Sequence, residues 1–253
     1  MRKPTLPLVL AATLWLCARP APAPADEARD LVKRALAALP QVPFVATLKL
    51  SVDAGPPREL QLSYKVVGGV RASFLEVRSP LDLQGTRFLF LERPEARSDQ
   101  YLSVPVSRKV IEVADTVRKY SFLGSTFYVA DLIAPQLDAF TYTLDGEDDV
   151  AGRHCRLVEA VPTQPERAIY SKTLVGIDMK DGLILKRLFL DEQGALLKAW
   201  TVDRVEKVDG HWVLMDQRMR NLQDHNESRL EITQINYHVE LPDSMFTPQH
   251  LAR

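Results

Sequence analysis

From Phe44 onward the chain alternates apolar and polar residues. In FVATLKLSV, Phe44, Ala46, Leu48, Leu50 and Val52 share one face, and Thr47, Lys49 and Ser51 share the other. GPP then turns the chain. In RELQLSYKV, Leu60, Leu62, Tyr64 and Val66 oppose Glu59, Gln61, Ser63 and Lys65. Such alternation predicts antiparallel strands with one dry and one wet face. Gly68-Gly69 predicts a hairpin into a third strand, and GTRFLFLE and QYLSVPVS continue the series, Pro105 marking an edge or bulge in the latter. After residue 139 the pattern resumes, punctuated by KDG, DEQG and VDG as hairpin turns would be. The segments sum to about eleven meandering strands with no βαβ alternation.

Two stretches break the period. DEARDLVKRALAAL, Asp26 to Leu39, has acidic residues in its first turn and basic ones later. Its apolar face is Leu31, Val32, Ala35, Leu36 and Leu39, so it predicts a helix that Pro40 stops. KYSFLGSTFYVADLIAP, Lys119 to Pro135, is apolar almost all round in its second half, with Asp131 the one plainly polar residue. It predicts a short, largely helical plug that cannot lie on a wet surface. Gly124 lets the chain turn into it, with Ser125 or Thr126 as the helix cap.

A large twisted sheet with one dry face must either pack on a second layer or curl around something. Few helices are on offer, so a curled sheet with helices in its open mouth is the economical solution. Whether the dry face is an ordinary core or the wall of a cavity for an apolar ligand stays open on these residues alone, as does the choice between a fixed plug and a lid.

Residues 1–25 read as an export signal rather than as fold. Arg2 and Lys3 precede the apolar run Leu6 to Ala18, which is too short to span a bilayer, and small residues at Ala23 and Ala25 place cleavage after Ala25. A lipoprotein signal using Cys17 is disfavoured by the bulky Leu16 before it. Residues 26–253 then form one domain. Of the 32 basic residues, three lie in the signal, leaving 29 against 33 acidic ones, a net charge of −4. This mildly acidic balance with scattered cations argues against a nucleic-acid surface. Only Cys155 remains of two cysteines, so an intrachain disulfide is excluded and the core must hold the fold by itself.

Candidate chemistry is sparse. His154, His211, His225, His238 and His250 lack metal-ligand spacing, and His154 and Cys155 are neighbours that point to opposite faces of a strand. Ser125 lacks the G-x-S-x-G elbow of a hydrolase. GEDDV, Gly146 to Val150, reads as a solvated hairpin tip because the liganding pattern of a calcium loop is missing. No catalytic residue, metal or cofactor is expected.

Four stretches carry a resemblance: RSPLDLQGTRFLFLE (Arg78 to Glu92), QYLSVPVSRKVIEV (Gln100 to Val113), SFLGSTFYVADL (Ser121 to Leu132) and LPDSMFTPQHL (Leu241 to Leu251). Together they resemble the periplasmic outer-membrane lipoprotein-sorting proteins, the LolA-like carriers. The resemblance implies a mainly β fold: a half-open antiparallel barrel of about eleven strands, closed by an N-terminal helix and short inner lid helices. It implies a lid made of Phe122, Leu123, Phe127, Tyr128, Leu132 and Ile133, hinged at Gly124. Leu48, Leu50, Leu62, Tyr64, Phe88 and Phe90 would line the cavity wall, and Arg108 and Lys109 would contact a partner. The implied role is a periplasmic carrier of lipid or lipidated protein, working beside an RND/MMPL-type inner-membrane transporter and handing cargo to an outer-membrane acceptor. A non-catalytic accessory subunit of such a transporter is the competing reading, and an exported hydrolase the third.

Overall fold

A computed structural model describes residues 24–53, 55–93, 96–106, 109–113 and 119–252. Most of the expected export signal with Cys17, and Arg108, lie outside the described residues.

Helix α1 (Pro24–Ala37) opens the described chain, with Asp26 and Glu27 in its first turn and Arg34 in its last. Ala28, Leu31, Val32 and Ala35 are buried, the face expected from the sequence. Thirteen strands follow among the described residues, β1 (Phe44–Val52), β2 (Arg58–Val67), β3 (Val70–Ser79), β4 (Arg87–Glu92), β5 (Asp99–Ser103), β6 (Val110–Glu112), β7 (Phe140–Val150), β8 (Arg153–Pro162), β9 (Lys172–Asp178), β10 (Ile184–Leu190), β11 (Leu196–Val208), β12 (His211–Asn221) and β13 (Asn226–Asn236). The sequence suggested about eleven. The short edge strand β6, whose three residues carry too little alternation to stand out, is one that pattern alone passes over.

All thirteen belong to one antiparallel sheet of order β6-β5-β4-β3-β2-β1-β13-β12-β11-β10-β9-β8-β7. Successive strands pair as neighbours except at one place. From β6 the chain jumps to β7 at the opposite edge and meanders back until β13 pairs with β1. The two edges are therefore consecutive in sequence, and the segment joining them, described over residues 119–139, crosses the open mouth of the sheet. That crossing segment is the greasy stretch. The sheet is open rather than closed, a half-barrel with an N-terminal helix.

Strand faces follow the alternation. In β1, Phe44, Ala46, Leu48 and Leu50 are buried while Lys49 is exposed. One expectation of a wet face is corrected. Ser63 is buried, because the C-terminal segment covers the outer side of β2 to β4. Ala72, Phe74 and Leu89 there form a small second core with Phe246 and Leu251, the latter in the one-turn helix α2 (Pro248–Leu251). β3 and β4 are thus covered on both faces: Leu75, Val77, Phe88 and Phe90 face the main core and Phe74 and Leu89 the second. The acidic run Gly146–Val150 leads into the β7–β8 turn with its carboxylates partly or largely exposed, as a solvated hairpin tip would. It lies within the last turnward half of β7, where Asp148 pairs with Lys186 at 2.6 Å and Glu147 with Arg156 at 2.6 Å. Cross-strand ion pairs thus tie the tip to the neighbouring strands. No helix among the described residues is long and apolar enough to cross a membrane.

Candidate functional site

The inner face of the sheet is only partly filled by side chains. A cavity of about 330 Å³ lies between β1 to β4 on one side and β10 to β13 on the other. Strands that far apart in the sheet can share a cavity only because the sheet curls. The end of α1 and the following turn, Ala35 to Pro40, form one rim, and the crossing segment closes the mouth through Phe122, Phe127, Leu132, Ile133 and Ala134.

Locally the plug differs from the capped α-helix that its composition suggests. It contains 3₁₀ turns at Phe122–Gly124 and Val129–Leu132, separated by a tight loop that an isolated antiparallel bridge, Ser121 with Tyr128, pulls together. Leu123 and Gly124 both have positive φ, 51° and 74°, which reverses the chain and breaks any continuous helix. Ser125 is spent inside this loop rather than capping a helix. Its hydroxyl donates to the Phe122 carbonyl and accepts from the Phe127 amide. Asp131 caps the second turn by accepting the Tyr128 amide at 2.8 Å.

Polar contacts pin the plug to the sheet at four places. The first is an ion pair between Asp131 and Lys198 of β11 at 2.6 Å, with side-chain exposures of 2 % and 0 %. Asp131 also accepts the Tyr170 hydroxyl at 2.7 Å. The Lys198 ammonium sits over the Tyr128 ring, 3.4 Å from its centre, and donates weakly to the Thr126 carbonyl. Burial drives the Lys198 pKa down while Asp131 opposes the shift, and burial beside Asp131 drives the Tyr170 hydroxyl far up. The second contact is Glu92 at the end of β4, which accepts the Ala134 amide at 2.9 Å and Arg71 at 3.4 Å; burial raises its pKa against both. Third, the Thr126 amide donates to Ser228 of β13, and fourth, the Thr126 hydroxyl donates to Asn226.

The expected lid residues divide. Phe122, Phe127, Leu132 and Ile133 line the cavity, whereas Leu123 packs on the neighbouring core and Tyr128 stacks on Lys198. Gly124 is exposed at the turn, its φ supporting the conformational role assigned to it. Of the expected wall, Leu48, Leu62, Tyr64 and Phe90 line the cavity; Leu50 and Phe88 are buried beside it in packed core. Lys109 is exposed ahead of the edge strand β6. Sequence reasoning missed the polar residues of the cavity: Arg71, Glu92, Arg187 and Gln217 line it together with Trp200 and Trp212.

A family model described as "uncharacterized protein" matches residues 69–253, well over half of the chain. The chain belongs to that family. Solved structures share its fold across nearly its whole length. One is a domain provisionally assigned as an outer membrane lipoprotein-sorting protein from Vibrio parahaemolyticus, with 22 % identity over 90 % of this chain and 100 % of that one, TM-score 0.83. A DUF1329 family protein from Desulfovibrio piger matches at 22 % identity over 90 % and 99 % of the two chains, TM-score 0.83. A LolA superfamily protein from Nitrosomonas europaea matches at 16 % identity over 88 % and 98 %, TM-score 0.65. At these identities the likeness is one of fold. It bears out the LolA-like half-barrel expected from the sequence. No curated protein matches the chain.

Proposed function

We propose that this chain is a non-catalytic carrier that holds an acyl chain, of a lipid or of a lipidated protein, in the cavity beneath residues 122–134 and transfers it between the membranes of the cell envelope. The observation that carries the proposal is the cavity itself: a largely apolar space of about 330 Å³, in a size range typical of ligand sites, walled by a sheet and closed by a separate, polar-latched segment. A packed core would have been filled to crystal-like density instead. An acyl chain gains about 0.8 kcal/mol per buried methylene, so an apolar groove holds one with little specific polar contact. Release then requires the plug to leave the mouth. The sorting assignment of the Vibrio parahaemolyticus domain agrees with this role, and the export signal expected at residues 1–25 would deliver the chain to the periplasm. A membrane transporter as donor and an outer-membrane protein as acceptor are the partners that such a route requires.

Leu62 provides the direct test. It lines the cavity from β2, is only half-buried, and its side chain has no polar role. Leu62→Trp fills the space while leaving the ladder of β2 intact. The purified exported chain is expected to bind a fluorescent long-chain fatty acid, and Leu62→Trp to weaken that binding at least about tenfold with an unchanged thermal transition. Equal binding by both proteins, or none by the native chain, would overturn the proposal.

A further inference from the structure

The cavity is largely apolar, and the charges gathered at its wall do not balance. Arg71 and Arg187 line it with two carboxylates, Glu92 and Asp131, and Lys198, which pairs with Asp131 from behind the lining, makes three cations against two carboxylates. Lys198 is matched by Asp131 at 2.6 Å, and Arg71 reaches Glu92 at 3.4 Å. Arg187 is left over. Its guanidinium forms no hydrogen bond and no ion pair among the described residues; it lies 5.4 Å from the centre of the Trp200 ring, directly across the β10–β11 ladder. Asp131, Glu92 and Tyr170 face it only through longer-range attraction. Arg71 adds a second unmet donor, since its Nε is buried without a hydrogen-bond partner. Burial lowers the pKa of Arg187, against the pull of those three groups, but a guanidinium stays charged throughout the ordinary range.

A cation held without a partner inside a largely apolar cavity is costly, and a partner supplied by a ligand removes that cost. A planar guanidinium with free donors suits the paired oxygens of a carboxylate or phosphate. The position also fits, because Arg187 and Phe189 stand two residues apart on β10 and both line the cavity. Phe189 would meet an acyl chain where Arg187 meets its head. Resting on the carrier reading above, we infer that the ligand is an anionic amphiphile whose carboxylate or phosphate head is bound by Arg187, with Arg71 as second donor, while its tail fills the cavity between β1 to β4 and the plug.

The test compares two probes that share a tail and differ at the head, one anionic and one neutral: a dansylated undecanoic acid and its methyl ester, titrated into the purified chain at mildly alkaline pH. The acid is expected to bind about tenfold more tightly than the ester, the gain expected for a charge-assisted hydrogen bond. Arg187→Met is expected to bring that ratio close to one, and Arg187→Lys to retain part of it. Inorganic phosphate, an anion without a tail, is expected not to displace the acid. Equal affinity of the native chain for acid and ester overturns the headgroup assignment and leaves the carrier reading standing. So does an Arg187→Met variant that keeps the tenfold preference, or displacement by phosphate alone, which would mark a site for a free anion. Binding of neither probe overturns both. The native acid-to-ester ratio decides the question even if a variant fails to fold.

Discussion

Replacing Lys198 with methionine weakens closure of the plug by about 3–5 kcal/mol, the usual consequence of removing one partner of a buried ion pair. The lysine is fully buried and Asp131 has 2 % of its side chain exposed, so the carboxylate that remains has no water to turn to. It keeps the Tyr170 hydroxyl and the Tyr128 amide but has no cation in contact. The effect is local. The Phe122 amide bonds to the Phe127 carbonyl at 2.7 Å and the Val129 amide to the Tyr120 carbonyl at 3.1 Å, both within the plug. In Lys198→Met these two amides are expected to exchange with solvent roughly a hundredfold to several thousandfold faster. Amides in the β11–β12 ladder, which the plug does not supply, are expected to keep their protection. Adding Asp131→Leu should recover most of the loss, since an apolar pair replaces a buried ion pair at little net cost. If ladder and plug amides accelerate together, the plug belongs to one cooperative core and is no lid.

Phe127→Asp attacks the same closure from its apolar side. Phe127 is 3 % exposed, faces the cavity and lies in the plug between its two 3₁₀ turns. An unpaired carboxylate there costs several kcal/mol in the closed state. The sheet has no strand at this position, so the strain is relieved by the plug leaving the mouth rather than by unfolding of the barrel. The expected variant keeps its far-ultraviolet circular dichroism, loses the protection of the plug amides, and binds a fluorescent fatty acid at least about tenfold more weakly for want of one cavity wall. Collapse of the whole β signal at the same temperature would show instead that Phe127 is a core residue.

Much of this architecture was legible in the sequence because burial on one face writes a period of two into a strand. Phe44 to Val52 shows it, and so do the turn residues at Gly68-Gly69. The plug was legible as a segment too greasy for a surface. Its local geometry was not, because the reversal at Leu123 requires a positive φ that nothing about leucine announces. Ser63 was misplaced for a related reason: alternation within one strand cannot show that a distant C-terminal segment covers the opposite face. The interior charges had a signal that went unused. Lys198 stands two residues before Trp200 and four before Val202, so on a strand it shares their inward face. Lys186 and Arg187 are adjacent, which forces one of the two inward. Such a pattern marks a buried charge, though only the fold shows that Asp131 answers Lys198 and that Arg187 has no partner at hand.

The central claim, that this half-barrel shelters an acyl chain beneath its plug, is tested most directly by what the protein carries. The protein, purified gently from the cells that make it, is extracted with organic solvent and the extract weighed by mass spectrometry. Stoichiometric acyl lipid in the extract, bearing an anionic head, and its loss from Leu62→Trp are the predicted result. A native chain that is consistently empty, and stays empty when offered fatty acids or phospholipids in solution, would contradict the account.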